Sequence, residues 1–300
     1  MDLKRSMRYY AFILIIGVFF VLFTSSPGQK IYLAYSGNLN CNLQACNCGG
    51  NNLGGMIQFA NIVDSFRTDY PNLLLLDSGD FLRTYPLEDA NRLMIELMYL
   101  MKYDAIGLGE QEYVDGKDFL FAELKRFPLP VISSNIVNAS DSQLVFKSYI
   151  KKEVESLRIV IFSLIQSNSF DFILKPDIHI MDDEVEIREI IKNALPVADI
   201  YILLFHGSHR EGLKIARNYP ELSVIICGHT QEQYVEIIGN QIIVQPGVDA
   251  EYLGFLEIDK TKKGLQFHHT FYPVSPYYGK NEFFQEKVDK YFREIENVTY

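Results

Sequence analysis

The sequence predicts an α/β fold in which short buried strands alternate with amphipathic helices. From Ile31 onward, apolar runs of strand length are separated by segments whose apolar residues recur at intervals of three and four. After Gln231 the pattern changes to alternation around turn sequences, which is typical of antiparallel hairpins. With 300 residues, 48% of them apolar, the chain is long enough to bury one large core.

The individual elements follow in order along the sequence. The predicted strands are IYLAY, NLLLLD, DAIGLG, LPVISSN, RIVIFSLI, DIYILLFHG and LSVIICGH. Helices are predicted between several of these strands, in GGMIQFANIVDSFRTDY, EDANRLMIELMYLMKY, DEVEIREIIKNAL and EGLKIARNY. Hairpins are predicted in QYVEIIGNQIIVQPG and AEYLGFLEIDKTKKGLQFHHTFYPV, where GN and KTKKG supply the turns. The segment NEFFQEKVDKYFREIE predicts an amphipathic tail helix. We therefore expect one domain over residues 29–275 and a helical tail over residues 276–300.

Residues 1–28 have the layout of a secretory signal. Three basic residues among the first eight precede an apolar run from Tyr9 to Phe23, and small and turn-forming residues follow it. The run is long for a cleaved signal peptide and short for a membrane-spanning helix, so a cleaved signal and an N-terminal membrane anchor both remain open. In either case we expect the domain to lie in the periplasm or elsewhere outside the cytoplasm, where disulfides can form.

The protein is acidic, with a formal net charge of −10. A surface of this sign repels the phosphates of nucleic acids and anionic lipid surfaces. We therefore exclude nucleic acid as a partner and expect any membrane anchoring to involve the N-terminal segment.

Several predicted strands end in a short polar loop that contains glycine. These loops are DSGD (77–80), GEQE (109–112), HGSH (206–209) and CGHTQ (227–231), and the loop SGNLNCNLQACNCGGNNLGG (36–55) follows the first strand in the same way. In α/β sheets, ligands bind in the crevice at the carboxyl ends of the strands. We therefore expect these loops to meet at one edge and to carry the functional site.

The order of these segments resembles that of the calcineurin-like metallophosphoesterases, in the branch of the periplasmic 5′-nucleotidases and UDP-sugar hydrolases. The segments that carry the resemblance are LLLLDSGDFL, YDAIGLGEQEYVDG, FPLPVISSNIV, LLFHGSH, PELSVIICGHTQ and IIVQPGVDAEYLGFLEID. The resemblance covers about residues 31–259 and does not extend to the separate C-terminal nucleotide-binding domain of those enzymes. It implies a layered α/β/β/α fold with mixed sheets, and a small phosphorylated or nucleotide substrate.

Five motifs of that family together hold two metal ions. In this sequence the D-x-H motif falls on Asn38, Leu39 and Asn40, and the G-D motif falls on Gly79 and Asp80. The G-N-H-E motif falls on Gly109, Glu110, Gln111 and Glu112. The lone His of the family corresponds to His206, and the G-H-x-H motif falls on Gly228, His229, Thr230 and Gln231. The resemblance implies that the first metal position is degenerate, because apart from Asp80 it would offer only neutral amides, from Asn38, Asn40 and Gln231. The second position keeps Asp80, His206 and His229. Glu110 stands there in place of the family's Asn.

Two carboxylates and two imidazoles suit one divalent transition metal, Zn, Mn or Fe. The catalytic candidates are Gln111 and Asn135. Gln111 replaces the family's His that assists the leaving group, and an amide cannot act as an acid. Asn135 matches a strand-end Asn of the family, for which a substrate-binding role and a structural role both remain open. We therefore interpret the protein as a secreted or periplasmic phosphoesterase of the 5′-nucleotidase type that hydrolyses a phosphomonoester or nucleotide slowly, or as a decayed enzyme whose histidines only form hydrogen bonds.

The cysteines of the first loop suggest a second interpretation. The stretch LQACNCGGNNLGG resembles a Cys-x-Cys variant of this branch, to which the resemblance attaches no activity. Cys46 and Cys48 could bind a metal as thiolates, they could form a redox-active or structural disulfide, or one of them could pair with Cys41 and staple the loop. The alternative function is therefore a non-hydrolytic metal-binding or thiol-redox protein on the same fold that uses Cys46 and Cys48.

Overall fold

The structure, a computed structural model, describes residues 29–45, 52–172, 177–194 and 198–298. Within these ranges two mixed sheets lie face to face, and helices cover the outer face of each sheet. The predicted α/β/β/α fold is therefore confirmed. The N-terminal segment interpreted as a signal or anchor, and Cys46 and Cys48, lie outside the described residues.

An α-helix follows each of β1, β2, β3, β7 and β8, as the sequence pattern predicts in general, whereas β4 to β7 follow one another without an α-helix in the described part of the chain, and hairpins follow β9. The strands in the described ranges are β1 (Gln29–Ser36), β2 (Leu74–Asp77), β3 (Ala105–Ile106), β4 (Ile136–Asn138), β5 (Tyr149–Val154), β6 (Leu157–Ile165), β7 (Ile178–Ile180), β8 (Ile200–His206), β9 (Val224–Cys227), β10 (Gln233–Ile238), β11 (Gln241–Pro246), β12 (Tyr252–Thr261) and β13 (Gly264–Pro273). The α-helices in these ranges are α1 (Met56–Asp69), α2 (Glu88–Met101), α3 (Lys117–Arg126), α4 (Asp183–Ala194), α5 (His209–Asn218) and α6 (Glu282–Val298).

The first sheet has the strand order β13-β12-β1-β2-β3. β1, β2 and β3 run parallel, whereas β12 pairs antiparallel with β1 and β13 antiparallel with β12. The predicted β12–β13 hairpin is thus confirmed, and it extends the sheet beyond its parallel half.

The second sheet has the order β10-β11-β9-β8-β6-β5. Its four inner strands are parallel, and the two edge strands β10 and β5 are antiparallel to their neighbours. Every residue of β8 is buried because the first sheet covers one face and helices cover the other. This burial explains the continuous apolar run of the strand.

The inner core lies between the two sheets. Ile31 and Leu33 of β1 pack there in one cluster with Ile202 and Leu204 of β8, and all four side chains are buried. Residues at every second position of a strand share a face, so the remaining apolar residues of these strands point to the outer layers.

Helices complete the two outer layers. On the first sheet, Phe284 and Val288 of α6 are buried in the same cluster as apolar residues of α1 and α2. On the second sheet, Ile187 of α4 and Ala216 of α5 pack against strand residues such as Leu203. No helix in the described part of the protein combines the length and apolarity that crossing a membrane requires.

Candidate metal centre

Asp80, Glu110, His206 and His229 converge in one cleft. Each offers one ligand atom, and these atoms all lie within 4.8 Å of one another. Metal–ligand bonds of about 2 Å bring the ligands of one ion to such separations. The predicted convergence of the four residues is therefore found in the structure, and this is the one such group of His, Cys, Asp and Glu within the described residues.

The topology places these residues together. Asp80 follows β2, Glu110 follows β3, His206 is the last residue of β8 and His229 follows β9. β2 and β3 run parallel in the first sheet, and β8 and β9 run parallel in the second, so their carboxyl ends meet at one edge of the sandwich. Residues distant in the sequence thus face the same cleft.

Glu110 contacts both imidazoles. Its Oε2 atom lies 3.0 Å from Nε2 of His206, and its Oε1 atom lies 3.3 Å from Nδ1 of His229. Nε2 of His206 is also 3.4 Å from Oδ2 of Asp80. His206 is fully buried, whereas the side chain of His229 is 33% exposed, so the cleft opens to solvent on the side of His229.

The charges in this group alter two pKa values. Burial alone would raise the pKa of Glu110, but its contacts with His206 and His229 outweigh burial and lower that pKa to about 2. Burial alone would lower the pKa of His206, but the charge of Asp80 and the hydrogen bonds to Asp80 and Glu110 raise it well above the ordinary value. A proton on His206 and a metal cation therefore compete for the same position between two carboxylates.

Two glycines make this close approach possible. A Cβ atom on Gly109 would lie 2.2 Å from Oδ1 of Asp80 and 2.6 Å from the ring of His206. A Cβ atom on Gly79 would lie 2.5 Å from the backbone N of Gly109, and Gly79 also has a φ of +97°. Any larger residue at either position would push the ligand loops apart.

Glu112 binds the backbone of the loops that carry Asp80 and Gly109, a role that the sequence analysis did not assign. Its carboxylate is fully buried and accepts hydrogen bonds from the backbone N–H groups of Asp80 at 3.0 Å, Phe81 at 2.8 Å, Leu82 at 3.2 Å and Gly109 at 2.6 Å. The signal that could have found it is the second glutamate of GEQE, which aligns with the last residue of the family's G-N-H-E motif.

The residues at the degenerate first-metal position mostly stabilise the loops. The side-chain amide of Asn38 accepts a hydrogen bond from the backbone N of His229 at 2.7 Å and donates one to the carbonyl of Gly247 at 3.0 Å. Asn40 donates to Oδ1 of Asp249 at 2.8 Å. Gln231 is exposed. Both ends of the Asn38 amide are thus engaged with the protein itself, whereas Asn40 uses only Nδ2, and its Oδ1 has no hydrogen-bond partner among the described residues.

The two catalytic candidates have different surroundings. Gln111 donates to the carboxylate of Asp80 through its backbone N at 3.2 Å and through Nε2 at 2.9 Å. Asn135 accepts from the backbone N of Ile165 at 3.0 Å and donates to the carbonyl of the same residue at 2.8 Å, so it is bound to the end of β6. Gln111 is therefore adjacent to the four-residue group, and Asn135 supports a neighbouring strand end.

The polar contacts around the group are compatible with metal binding. Nδ1 of His206 lies 3.0 Å from the carbonyl oxygen of Ser78, which can accept a hydrogen bond from it and leaves Nε2 to face Asp80 and Glu110. Nδ1 of His229 is buried and, although it lies 3.3 Å from Glu110, it forms no well-aligned hydrogen bond within the described residues. Two imidazole nitrogens and two carboxylates form a donor set that suits Zn, Mn or Fe.

The described cysteines lie away from this group. Cys41 is a free thiol whose Sγ donates to the carbonyl of Ala90 at 3.3 Å, and burial raises its pKa to about 12. The expected staple from Cys41 is thus not formed in this structure, because the side chain points into the core beside α2. Cys227 is also free and buried. Cys46 and Cys48 lie outside the described residues, so none of the described contacts bears on the thiol-redox alternative.

Comparison with known proteins shows which proteins this chain resembles. No protein-family model matches the sequence. The protein is 23% identical over 220 residues to a 2′,3′-cyclic-nucleotide 2′-phosphodiesterase/3′-nucleotidase of Haemophilus influenzae, a match that covers 60% of this chain and 32% of that protein. It is 25% identical over 246 residues to a 5′-nucleotidase of Rattus norvegicus, covering 71% of this chain and 42% of that protein. The matched region therefore spans less than half the length of these relatives.

A solved structure supports the same assignment. The calcineurin-like phosphoesterase YfkN from Bacillus subtilis superposes with a TM-score of 0.76 at 17% identity, and the match covers 91% of this chain and all of that one. Fold, sequence similarity and the group of buried Asp, Glu and His ligands thus agree with the resemblance seen in the motifs. Over most of its length the protein is therefore similar, in sequence and in fold, to the metallophosphatase domain of the calcineurin-like metallophosphoesterases, in the 5′-nucleotidase branch.

Proposed function

We propose that the protein is a metal-dependent phosphoesterase that binds one divalent ion, Zn, Mn or Fe, and slowly hydrolyses a phosphomonoester or nucleotide. The observation that carries this proposal is the convergence of four ligand atoms within 4.8 Å, from Asp80, Glu110, His206 and His229. The relatives named as nucleotidases and nucleotide phosphodiesterases support the choice of a phosphate ester as substrate.

The polar contacts beside the group support a single ion. The amide of Asn38 binds His229 and Gly247, and Nδ2 of Asn40 donates to Asp249. Amide oxygens such as Oδ1 of Asn40 are weak ligands for transition metals. One divalent cation also balances the two carboxylates of Asp80 and Glu110. At the family's first metal position, the described residues that match the motifs offer a second cation only amides besides Asp80.

The slow rate of hydrolysis in this proposal is based on Gln111, the residue beside Asp80. A bound divalent ion supplies Lewis acidity that activates water and neutralises phosphoryl charge. The protein itself orients Asp80 through the two hydrogen bonds from Gln111 and shields the buried side of the cleft. An amide at position 111 donates no proton to a leaving oxygen, and general acid catalysis typically contributes about 10²–10⁴-fold. Slow hydrolysis is the consequence.

The site of action is part of the proposal. The basic start and apolar run of residues 1–28 support export from the cytoplasm, through a cleaved signal or an N-terminal anchor. The negative net charge of the protein opposes adsorption of the domain itself to anionic lipid.

The test is metal-dependent phosphate release from adenosine 5′-monophosphate by the full purified protein, after removal of metal and reloading with Zn, Mn or Fe in turn. We expect activity with at least one ion and loss of activity in Asp80→Asn. The control is His268→Asn, which changes an exposed histidine on β13 and should leave the activity as it is. Undiminished activity in Asp80→Asn, or no activity with any of the three ions, would refute the proposal.

A further inference from the structure

A contact between His209 and Glu232 joins the two loops that carry the histidine ligands, and it has no role in the function proposed so far. His209 comes three residues after His206, and Glu232 comes three residues after His229. Nδ1 of His209 lies 3.0 Å from Oε2 of Glu232. Each member of the pair therefore lies shortly beyond one imidazole of the candidate metal centre.

His209 is held in place by the helix and the strand around it. It is the first residue of α5, and the side chain of the N-cap residue Ser208 accepts a hydrogen bond from the first turn of that helix. The ring of His209 stacks on that of Tyr234 in β10, with 4.2 Å between the ring centres and 21° between the ring planes. The hydroxyl of Tyr234 donates to the carboxylate of Glu236. The imidazole therefore has a fixed position from which it can hold Glu232.

The nitrogen of His209 that faces Glu232 needs a polar partner. This Nδ1 atom is buried, and it forms no well-aligned hydrogen bond within the described residues. A buried nitrogen that stays unpaired is costly. The side chain of Glu232, which is 60% exposed and has room to adjust, lies within reach of it. The burial of His209 therefore favours a carboxylate held at this position.

The backbone between His229 and Glu232 is strained. His229 has a φ of +72° and Gln231 a φ of +60°, in the left-handed region that residues other than glycine rarely adopt. Residues in this region persist where the surrounding structure fixes them. The position of His229 therefore depends on the contacts that hold both ends of this segment.

Other contacts hold the start of the segment. Asn38 accepts a hydrogen bond of 2.7 Å from the backbone there. The hydroxyl of Thr230 donates to Oε1 of Gln245 at 3.1 Å and accepts from its Nε2 at 2.8 Å. Within the described residues, the side-chain contact at the end of the segment is that of Glu232 with His209.

We propose that His209 is a positioning residue of the metal centre: by holding Glu232 it fixes the loop that carries the ligand His229. The inference rests on the proposed function for the role of His229 as a metal ligand. His229 is the partly exposed member of the four-residue group, whereas the other three are buried. Its position therefore depends more on its own loop than on packing around the side chain.

The first test measures the Kd for Zn of the full purified protein by competition with a chelator dye. His209→Phe keeps a ring on Tyr234 but cannot pair with Glu232, and Glu232→Ala removes the partner. We expect each change to raise the Kd by about tenfold or more, the usual effect of losing a contact that supports a metal ligand. The double variant should bind no more weakly than either single variant, because both changes remove the same contact.

Two further variants serve as controls. Glu232→Gln keeps an oxygen that can accept a hydrogen bond from the imidazole, so its Kd should stay close to that of the wild-type protein. His268→Phe changes an exposed histidine on β13 and should leave the Kd as it is. An unchanged Kd in both His209→Phe and Glu232→Ala would refute the proposal.

The second test distinguishes positioning from a purely structural role. Histidine ring signals are recorded by NMR in the metal-free protein and assigned from their absence in His206→Asn and His229→Asn. We expect His209→Phe to shift the ring signals of His229, and urea unfolding to give it the same midpoint as the control His268→Phe. Unchanged signals of His229, or a lower midpoint with an unchanged Kd, would overturn the proposal.

Neither test needs hydrolysis, so the inference and the proposed function can fail separately. A wild-type protein that binds Zn but hydrolyses no phosphate ester would refute the proposed function, and the Kd values would still decide the role of His209. A wild-type protein that binds no Zn would also refute the proposed function, and the ring signals of His229 would then decide whether His209 positions it.

Discussion

Oε2 of Glu110 lies 3.0 Å from Nε2 of His206, at a position where the resemblance to the metallophosphoesterases places an asparagine. The second oxygen of the same carboxylate lies 3.3 Å from His229. Glutamate thus adds a negative charge to a group beside which Asn38, Asn40 and Gln231 carry neutral amides. With Asp80 it supplies the two charges that one divalent cation neutralises.

The first prediction concerns the number of ions. The triple change Asn38→Asp, Asn40→His and Gln231→His restores the ligands of the first metal position and should raise the metal content from about one to about two ions per protein molecule, because charged and imidazole ligands replace weak amides. Elemental analysis of the dialysed protein measures this. Adding Asp80→Ala to the triple variant should reduce the content of both ions, since both positions share that carboxylate. Two tightly bound ions in the wild-type protein would contradict the one-ion account.

The second prediction concerns the leaving group. Gln111→His introduces an acid beside Asp80 and should raise kcat for phenyl phosphate by about tenfold or more, given the usual contribution of general acid catalysis. The measurement is the initial rate of phosphate release at saturating substrate. Gln111→Asn, which keeps an amide but supplies no acid, is the control. A rate in Gln111→His no higher than in Gln111→Asn would show that the missing proton donor does not limit hydrolysis.

The third prediction concerns pH and metal affinity. Asp80 and Glu110 raise the pKa of His206 well above its ordinary value, so a cation must displace a proton from this residue over the neutral range. The apparent Kd for Zn should therefore fall as pH rises, by about tenfold per pH unit where one proton is displaced. Competition with a chelator dye between about pH 6 and pH 8 measures the slope. Glu110→Gln removes one of the groups that raise the pKa and should give a shallower slope, whereas identical slopes in both proteins would refute the assignment.

The fourth prediction concerns Glu112 and the free energy of unfolding. Glu112→Gln should lower that free energy by about 2 kcal/mol or more, because the amide nitrogen cannot accept the backbone N–H groups that the carboxylate binds. Urea unfolding of the metal-free protein measures the change. Glu184→Gln, at an exposed position on α4, is the control and should change the value by less than about 0.5 kcal/mol. Equal midpoints for the two variants would show that the four hydrogen bonds do not hold the loops.

The edge strand β5 illustrates what the sequence left open about the fold. The buried strands β8 and β9 are apolar runs that are recognisable in the sequence, because both faces of a central strand need apolar side chains. β5 (Tyr149–Val154) was not predicted, because at the edge of a sheet one face is exposed and polar residues such as Lys151 replace the apolar run. Its pairing with β6 depends on the neighbour that the tertiary structure provides.

Only part of the candidate site, like only part of the fold, could be predicted from the sequence. The amino-acid pattern was enough to place Asp80, Glu110, His206 and His229 at strand ends, because a strand and the polar loop after it are local features, and parallel strands bring their ends to one edge. The partners of those loops became visible only in the folded structure. Asn40 and Asp249 are 209 positions apart, and their hydrogen bond exists because β1 lies between β2 and β12. The four bonds to Glu112 likewise depend on contacts between loops, and such contacts have no periodic signal in the sequence.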